Sequence, residues 1–333
     1  MTSTERRQLM TRRGPISLPA YIPVTTFGKK YPLDDLVRPY LPRLASAVMV
    51  SYHFARQQTQ PLRIPMLLDS GGFVSLFEKA IVVRDGGLGV IHVLSESGTE
   101  ILAPSEILQF QEERADVAFT LDFPIPPAMK RAEAERRLTL TIANAHWALA
   151  NRRRRDLPLF ACIQGWDRGS YLACAQSYIG ANFDGLALGG MVPRMRDKAF
   201  VLDLVASIRT MHPTLPLHVF GLGQPELVAS LFEHGADSVD SSAYVKLAAE
   251  GRLWGPASRR IAVESPLTRL HLAICNLAAA TNHVLPLGFA GTRFETSMVQ
   301  TTSTDQPIAQ SGDVPTARQP CVTYTTSRVL RAA

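Results

Sequence analysis

Hydrophobic residues in this chain gather into short runs, most of them closed by a polar residue or a glycine. The runs fall at 20–24, 47–52, 64–69, 117–122, 157–164, 185–189, 217–221 and 238–240. Between them, at 105–114, 130–151, 168–180, 198–211, 225–234 and 243–251, apolar residues recur with helical spacing. A short apolar run followed by a helical stretch, repeated, marks parallel strands joined by helical crossovers, and eight such strands close a barrel. The runs are apolar at consecutive positions, as in Met66-Leu67-Leu68 and Leu159-Phe160-Ala161-Cys162-Ile163. Strands covered on both faces need that pattern. The sequence therefore predicts an α/β fold, a (β/α)8 TIM barrel.

One segment breaks the alternation. Residues 80–83 and 89–93 flank Arg84-Asp85-Gly86-Gly87-Leu88, which predicts a β-hairpin inserted after strand 3, on the side where barrel loops build sites. Residues 267–280 predict a short C-terminal helical extension packed on the barrel. The expected division is a flexible N-terminus over 1–14, the barrel with its C-terminal helix over 15–290, and a disordered tail over 291–333. The tail is rich in Thr, Ser, Gln and Pro, a composition that buries too little apolar surface to order itself.

Composition narrows the class. The 333 residues are 46% hydrophobic and 19% charged, ample for a large core. The net charge of +6 favours a polyanionic partner. Arg152-Arg153-Arg154-Arg155 reads either as a solvated helix end or as a phosphate contact. Cys162, Cys174, Cys275 and Cys321 form no Cys-x-x-Cys or Cys/His cluster, so neither a disulfide framework nor a metal site is expected. No apolar leader opens the sequence and no run of 18 apolar residues occurs, so the expectation is a cytoplasmic protein without membrane contact. No cofactor is expected.

In a barrel, chemistry sits at the C-terminal ends of the strands. Those ends carry Asp69, Asp122, Gln164, Gly189-Gly190, Gly221 with Gly223, and Asp240. Three carboxylates around one mouth can divide the work of attacking a sugar carbon and moving a proton on the departing group. Each position also has a plain structural reading. Asp69-Ser70-Gly71-Gly72 can be a turn, Asp122 a cap, and Asp240 the N-cap of the last barrel helix. Their convergence on one face favours chemistry.

These residues also carry a resemblance. Asp69-Ser70-Gly71-Gly72-Phe73 resembles the DSGGF/Y motif of the tRNA-guanine transglycosylase superfamily. The likeness continues in order through Leu121-Asp122, Ile163-Gln164-Gly165 and Gly185-Leu186-Ala187-Leu188-Gly189-Gly190-Met191. It runs on through Gly221-Leu222-Gly223-Gln224-Pro225-Glu226 and Gly235-Ala236-Asp237-Ser238-Val239-Asp240, and covers roughly residues 15–255. The resemblance implies Asp240 as the nucleophile that attacks C1′ of the target nucleotide. It implies Asp69 as the general acid/base for the departing and incoming bases. Asp122, Gln164 and the backbone at Gly190 would read the base edge, and Phe73 and Phe220 would sandwich the ring. Ser70, Gly189, Met191 and Gly221 fall among the substrate-binding positions beside them. The target base must leave its helix or loop to reach the mouth.

The sequence departs from the tRNA enzymes after Asp240. Ser241-Ser242-Ala243-Tyr244-Val245-Lys246 stands where they carry a Cys-x-x-Pro-Thr-Arg-like stretch, and only Cys275 and Cys321 remain for their zinc subdomain. In this the chain resembles the DNA-acting branch, the 7-deazapurine-in-DNA protein A group. That likeness implies DNA and a free 7-deazaguanine base, 7-cyano-7-deazaguanine, as partners, with other proteins of a DNA-modification cluster alongside. The alternatives are a tRNA transglycosylase without its zinc module and a non-catalytic nucleic-acid-binding subunit. Retention of both Asp69 and Asp240 argues against the last. An unrelated two-carboxylate glycosidase is the remaining reading.

Overall fold

A computed structural model describes residues 7–27, 32–58, 62–96, 98–255, 260–262 and 265–282. Eight parallel strands run in chain order: β1 (Ala20–Pro23), β2 (Val48–Ser51), β3 (Met66–Asp69), β4 (Val117–Phe119), β5 (Leu159–Ile163), β6 (Gly185–Leu188), β7 (Leu217–Val219) and β8 (Ser238–Ser241). Hydrogen bonds link them in the order β1-β8-β7-β6-β5-β4-β3-β2. A parallel bridge from Val24 to Met49 joins β1 back to β2 and closes the ring. The expected barrel is present, with every strand but the last a little shorter than its apolar run.

Helices Pro104–Arg114, Arg131–Asn151, Arg168–Gln176, Lys198–Met211, Pro225–Glu233 and Ala243–Ala249 fill the predicted crossovers. Three short helices, Pro32–Val37, Leu41–Leu44 and Tyr52–Ala55, escape the periodicity because none exceeds two turns.

Side chains alternate along each strand between the barrel interior and the helix layer. Ile22, Met49, Leu67, Val117, Phe119, Phe160, Cys162 and Ala187 form the interior cluster. Their neighbours Val48, Val50, Leu68, Ala118, Leu186, Leu188, Val219 and Val239 are also buried, against the helices. Continuing the inner set by two residues reaches Asp69, Gln164, Gly189 and, on the last two strands, Phe220 and Asp240. The same alternation that packs the core therefore aims these residues across the mouth.

The opposite end is sealed by the N-terminal segment. Gln8–Leu9 pairs with Ile16–Ser17 as a two-stranded hairpin, and Ile16, Leu18 and Leu9 pack onto the interior cluster. Arg12 and Arg13 bond the fully buried Asp116 at 3.3 and 2.6 Å. Residues 7–14, read from polarity as flexible, are thus held by an apolar plug and by two arginines on one carboxylate. Residues 1–6 and the tail expected over 291–333 lie outside the described residues.

A repeated clamp stiffens this closed end. Asp116, Asp184 and Asp237 each stand one residue before an even-numbered strand. Each accepts the N–H that opens the preceding odd strand, from Met66 at 2.8 Å, Leu159 at 3.0 Å and Leu217 at 2.8 Å. Each also binds arginine: Arg12 and Arg13, Arg152, and Arg209. Two members of the basic run are used here. Arg152 is buried on Asp184 and the Leu157 carbonyl, and Arg154 reaches Asp156 and the Glu112 carbonyl. Asp116→Ala is expected to lower unfolding free energy by about 2–4 kcal/mol, because it strands the Met66 N–H and uncouples two arginines. Denaturant titration would show it, and an unchanged midpoint would rule out the clamp.

The insertion after β3 is larger than the predicted hairpin. Ala80–Asp85, Leu88–Ser95 and Gly98–Leu102 form a three-stranded antiparallel sheet. Its third strand is mostly exposed and carries Gly98, Thr99 and Glu100, which hides it from a hydrophobic reading. Fully buried Asn144 clasps the sheet to the barrel, accepting from Gly89 N and donating to the Gly89 and Leu121 carbonyls. The C-terminal helix Pro266–Ala280 forms as expected, started by a Ser265 cap on Thr268 N. Its buried Asn276 bonds the Tyr244 and Arg252 carbonyls and the Trp254 N–H, fixing the segment that follows β8.

Candidate active site

Six successive strands deliver the candidate residues to one rim. Asp69 ends β3, Asp122 follows β4, Gln164 follows β5, Gly189-Gly190-Met191 follow β6, Phe220-Gly221 follow β7, and Asp240 lies in β8. In a closed ring of eight, β3 and β7 lie opposite one another, so Phe73 and Phe220 approach the mouth from facing sides. Both rings are partly buried. Phe220 rests on Phe119 (centroids 5.0 Å apart) and His218 (4.8 Å), whereas Phe73 leans on Phe77 (5.6 Å) and His53 (6.4 Å).

Asp240 is 7% exposed, and its Oδ1 receives two N–H donors, from the Gly221 backbone at 3.0 Å and from His218 Nε2 at 3.0 Å. Oδ2 receives no hydrogen bond among the described residues, so one oxygen is held and the other left free. Asp69 is set differently. Burial first, then the charges of Asp122 and Asp240, push its carboxyl up to about 7, against the lowering pull of the Gly71 N–H and Ser51. Its Oδ2 accepts from Gly71 N at 3.2 Å. One carboxyl therefore holds a proton near neutrality beside another gripped by N–H donors, the division that paired acid and nucleophile roles require.

Ser70, Asp122 and Gln164 form a connected cluster. Ser70, fully buried, donates to Asp122 Oδ1 at 3.2 Å, and Gln164 Nε2 donates to Asp122 Oδ2 at 2.6 Å. Burial raises the Asp122 pKa, with these two donors opposing. Gln164 is 1% exposed, and its buried Oε1 has no hydrogen-bond partner among the described residues. An unpartnered buried acceptor costs about 1–3 kcal/mol until a ligand supplies the donor. Two glycines allow this close assembly. A Cβ on Gly72 would stand 2.1 Å from the Asp122 carbonyl oxygen, and one on Gly189 2.1 Å from Gln164 Nε2.

Met191 is fully buried, so its side chain packs beneath the rim rather than lining it. Arg194, also buried, ties the rim together. Its guanidinium donates to the carbonyls of Ile125, Gly165, Trp166 and Gly190, one to two per loop after β4, β5 and β6. Hydropathy alone does not reveal that role, since Arg194 sits in a polar, methionine-flanked turn. His218 escapes it too, although a polar residue inside the apolar run Leu217-His218-Val219-Phe220 is the signal that points to it. Among the described residues, no group of three or more His, Cys, Asp or Glu side chains could hold a metal ion, and no described helix is long and apolar enough to cross a membrane.

A barrel with this rim matches a known class of base-exchanging enzymes. Residues 4–283 match the family described as queuine tRNA-ribosyltransferase, and the chain belongs to that family. It is similar to the tRNA-guanine(15) transglycosylase of Methanococcus aeolicus, 29% identical over 248 residues, covering 71% of this chain and 36% of the relative. The protein of that name from Methanosarcina mazei is 29% identical over 251 residues, covering 74% of this chain and 49% of the relative. The one from Methanothermobacter thermautotrophicus is 28% identical over 252 residues, covering 74% and 36%. The chain thus spans between about a third and a half of the length of these curated relatives. Their names speak of tRNA, so the expected DNA-acting branch gains no support from them and the tRNA alternative does.

Proposed function

We propose that the protein is a guanine transglycosylase that exchanges a guanine in a nucleic acid for a free base of the 7-deazaguanine class, with tRNA as the strand its relatives' names favour. The observation that carries this reading is the carboxyl pair. Asp240 offers a free Oδ2 from β8, while the proton-holding Asp69 stands at the end of β3.

The chemistry runs as two displacements at C1′. Asp240 Oδ2 bonds to C1′ as the C1′–N9 bond of guanine breaks, and Asp69 gives its proton to the departing base. The incoming base then loses its N9–H proton to Asp69. Its nitrogen bonds to C1′, and the ester to Asp240 breaks. Asp69 ends protonated, Asp240 ends as the carboxylate, and two inversions leave the sugar configuration retained. The same residues choose the base. Asp122 and the free Gln164 Oε1 are acceptors that suit the N1–H and N2–H donors of guanine. Adenine presents an acceptor at N1 and would leave them unpaired, a mismatch that sites of this kind reject strongly.

A second reading, DNA as the strand, rests on the sequence after Asp240. Ser241-Ser242-Ala243-Tyr244 replaces the stretch that the tRNA enzymes carry there. Incubating the purified protein with 7-cyano-7-deazaguanine and either tRNA or DNA, then digesting to nucleosides for mass analysis, separates the two. Deazaguanosine from tRNA alone supports the main reading, and deoxy-nucleoside from DNA alone transfers it to DNA. No exchange of that base or of labelled guanine in either strand overturns both.

A further inference from the structure

We propose that His218 is a positioning residue that holds Asp240 Oδ1 through both half-reactions, leaving Oδ2 as the attacking oxygen. The inference rests on the reading of Asp240 as nucleophile and adds the device that orients it.

The geometry is specific. His218 is fully buried inside the barrel, one layer below Asp240. Its Nε2 lies 3.0 Å from Asp240 Oδ1 and its Nδ1 lies 2.8 Å from Ser238 Oγ. Oδ1 already accepts the Gly221 N–H, so it acts as an acceptor and Nε2 carries the hydrogen. In the neutral ring Nδ1 is then an acceptor, and the Ser238 hydroxyl donates to it. The chain runs Ser238 O–H to His218 to Asp240, with both imidazole nitrogens used. Phe119 and Phe220 pack around the imidazole with centroids 5.3 and 4.8 Å away, which fixes its plane.

Two consequences follow for the reaction. Before attack, the two donors on Oδ1 stop the carboxylate rotating and present Oδ2 to the mouth. After attack, Oδ2 is the ester oxygen bonded to C1′ and Oδ1 the carbonyl oxygen, still held by the same donors. When the incoming base displaces the carboxylate, negative charge returns to both oxygens, and His218 and the Gly221 N–H meet it in a preorganised, water-poor setting. Removing one such donor in comparable sites costs about 10²–10³-fold in rate. The imidazole gives no proton away and forms no bond to substrate, so it positions Asp240 rather than reacting.

The test compares His218→Phe and His218→Gln with the wild type in single-turnover mixing with nucleic acid, followed by a chase with free base. Phenylalanine fills the space without a donor, and the glutamine Nε2 sits where the imidazole Nε2 was. The expected result is that His218→Phe slows both appearance and discharge of the covalent adduct by at least 10-fold, with the KM for free base unchanged. His218→Gln should recover most of that loss. Ser238→Ala, which leaves the ring in place, should slow the reaction a few-fold and serves if His218→Phe fails to fold. Wild-type adduct kinetics in the phenylalanine variant, or in the Ser238 variant where it must substitute, would overturn the proposal and leave Asp240 as nucleophile. Equal loss in the phenylalanine and glutamine variants at wild-type melting temperature would also overturn it. A wild type that forms no adduct removes the reading of Asp240 itself, and this inference with it.

Discussion

Asp240→Asn is expected to abolish base exchange, lowering kcat by at least about 10³-fold, while the protein stays folded. The argument separates the two oxygens. Asparagine can keep a carbonyl oxygen where Oδ1 stands, so the Gly221 N–H and His218 Nε2 keep their acceptor. What disappears is the proposed nucleophile, because an amide nitrogen at the Oδ2 position has no carboxylate electron pair to give C1′. Losing a covalent nucleophile removes the whole stepwise route, so the remaining turnover reflects binding alone. A melting temperature within a few degrees of wild type, with no released guanine, is the predicted pair of results. Retained exchange would mean that another group attacks C1′.

Asp69→Asn is expected to cut kcat/KM by about 10²–10⁴-fold, the usual worth of a positioned acid/base, and to change how stability depends on pH. Wild-type activity should fall as pH rises past about 7, where Asp69 loses the proton it must give to the departing base. The stability effect has the opposite sense to that of a salt-bridged carboxylate. The folded pKa near 7 lies above the unfolded value of about 3.9. Below pH 4 both states are protonated and Asp69 has no net effect. Between about 4 and 7 the unfolded chain ionises while the folded one holds its proton, so stability drains away as pH rises. Above 7 the loss is complete. The neutral asparagine avoids it, so the variant should match wild type near pH 4 and exceed it at pH 8. The expected gain is about 1–3 kcal/mol, held down because the side chain keeps some solvent contact. Parallel denaturation curves at the two pH values measure it. Equal stability at pH 8 would mean that folding does not raise the Asp69 pKa.

Asp69, Gln164 and Asp240 are legible in the sequence because each closes an apolar run, and the barrel's period-two alternation turns that position into an inward direction. Asp122 is legible in the same way, as the end of the run 117–122, although β4 itself ends at Phe119 and the residue reaches the rim on the loop beyond it. His218 is hard to see because one imidazole in a buried strand reads as core until Asp240 Oδ1 is placed 3.0 Å away. Arg194 is equally hidden, as its partners are four backbone carbonyls from three loops. The N-terminal plug misleads a local reading. Arg12 and Arg13 look like a solvated tail until Asp116, about a hundred residues away, supplies the buried partner. The basic run misleads in the other direction, with Arg152 and Arg154 used in closing the barrel's far end. The choice between RNA and DNA is the part least written in the pattern, because the proposed contacts at the barrel mouth are to the base and the sugar carbon rather than to the strand.

The central claim is that Asp240 becomes bonded to the sugar of the nucleic acid. The most direct test mixes the protein with the strand that supports exchange, quenches in denaturant before free base is added, and maps peptides by mass. The account predicts one nucleic-acid adduct, on the peptide carrying Asp240, with one guanine released per adduct. Guanine release without an adduct, or an adduct on another residue, would contradict it.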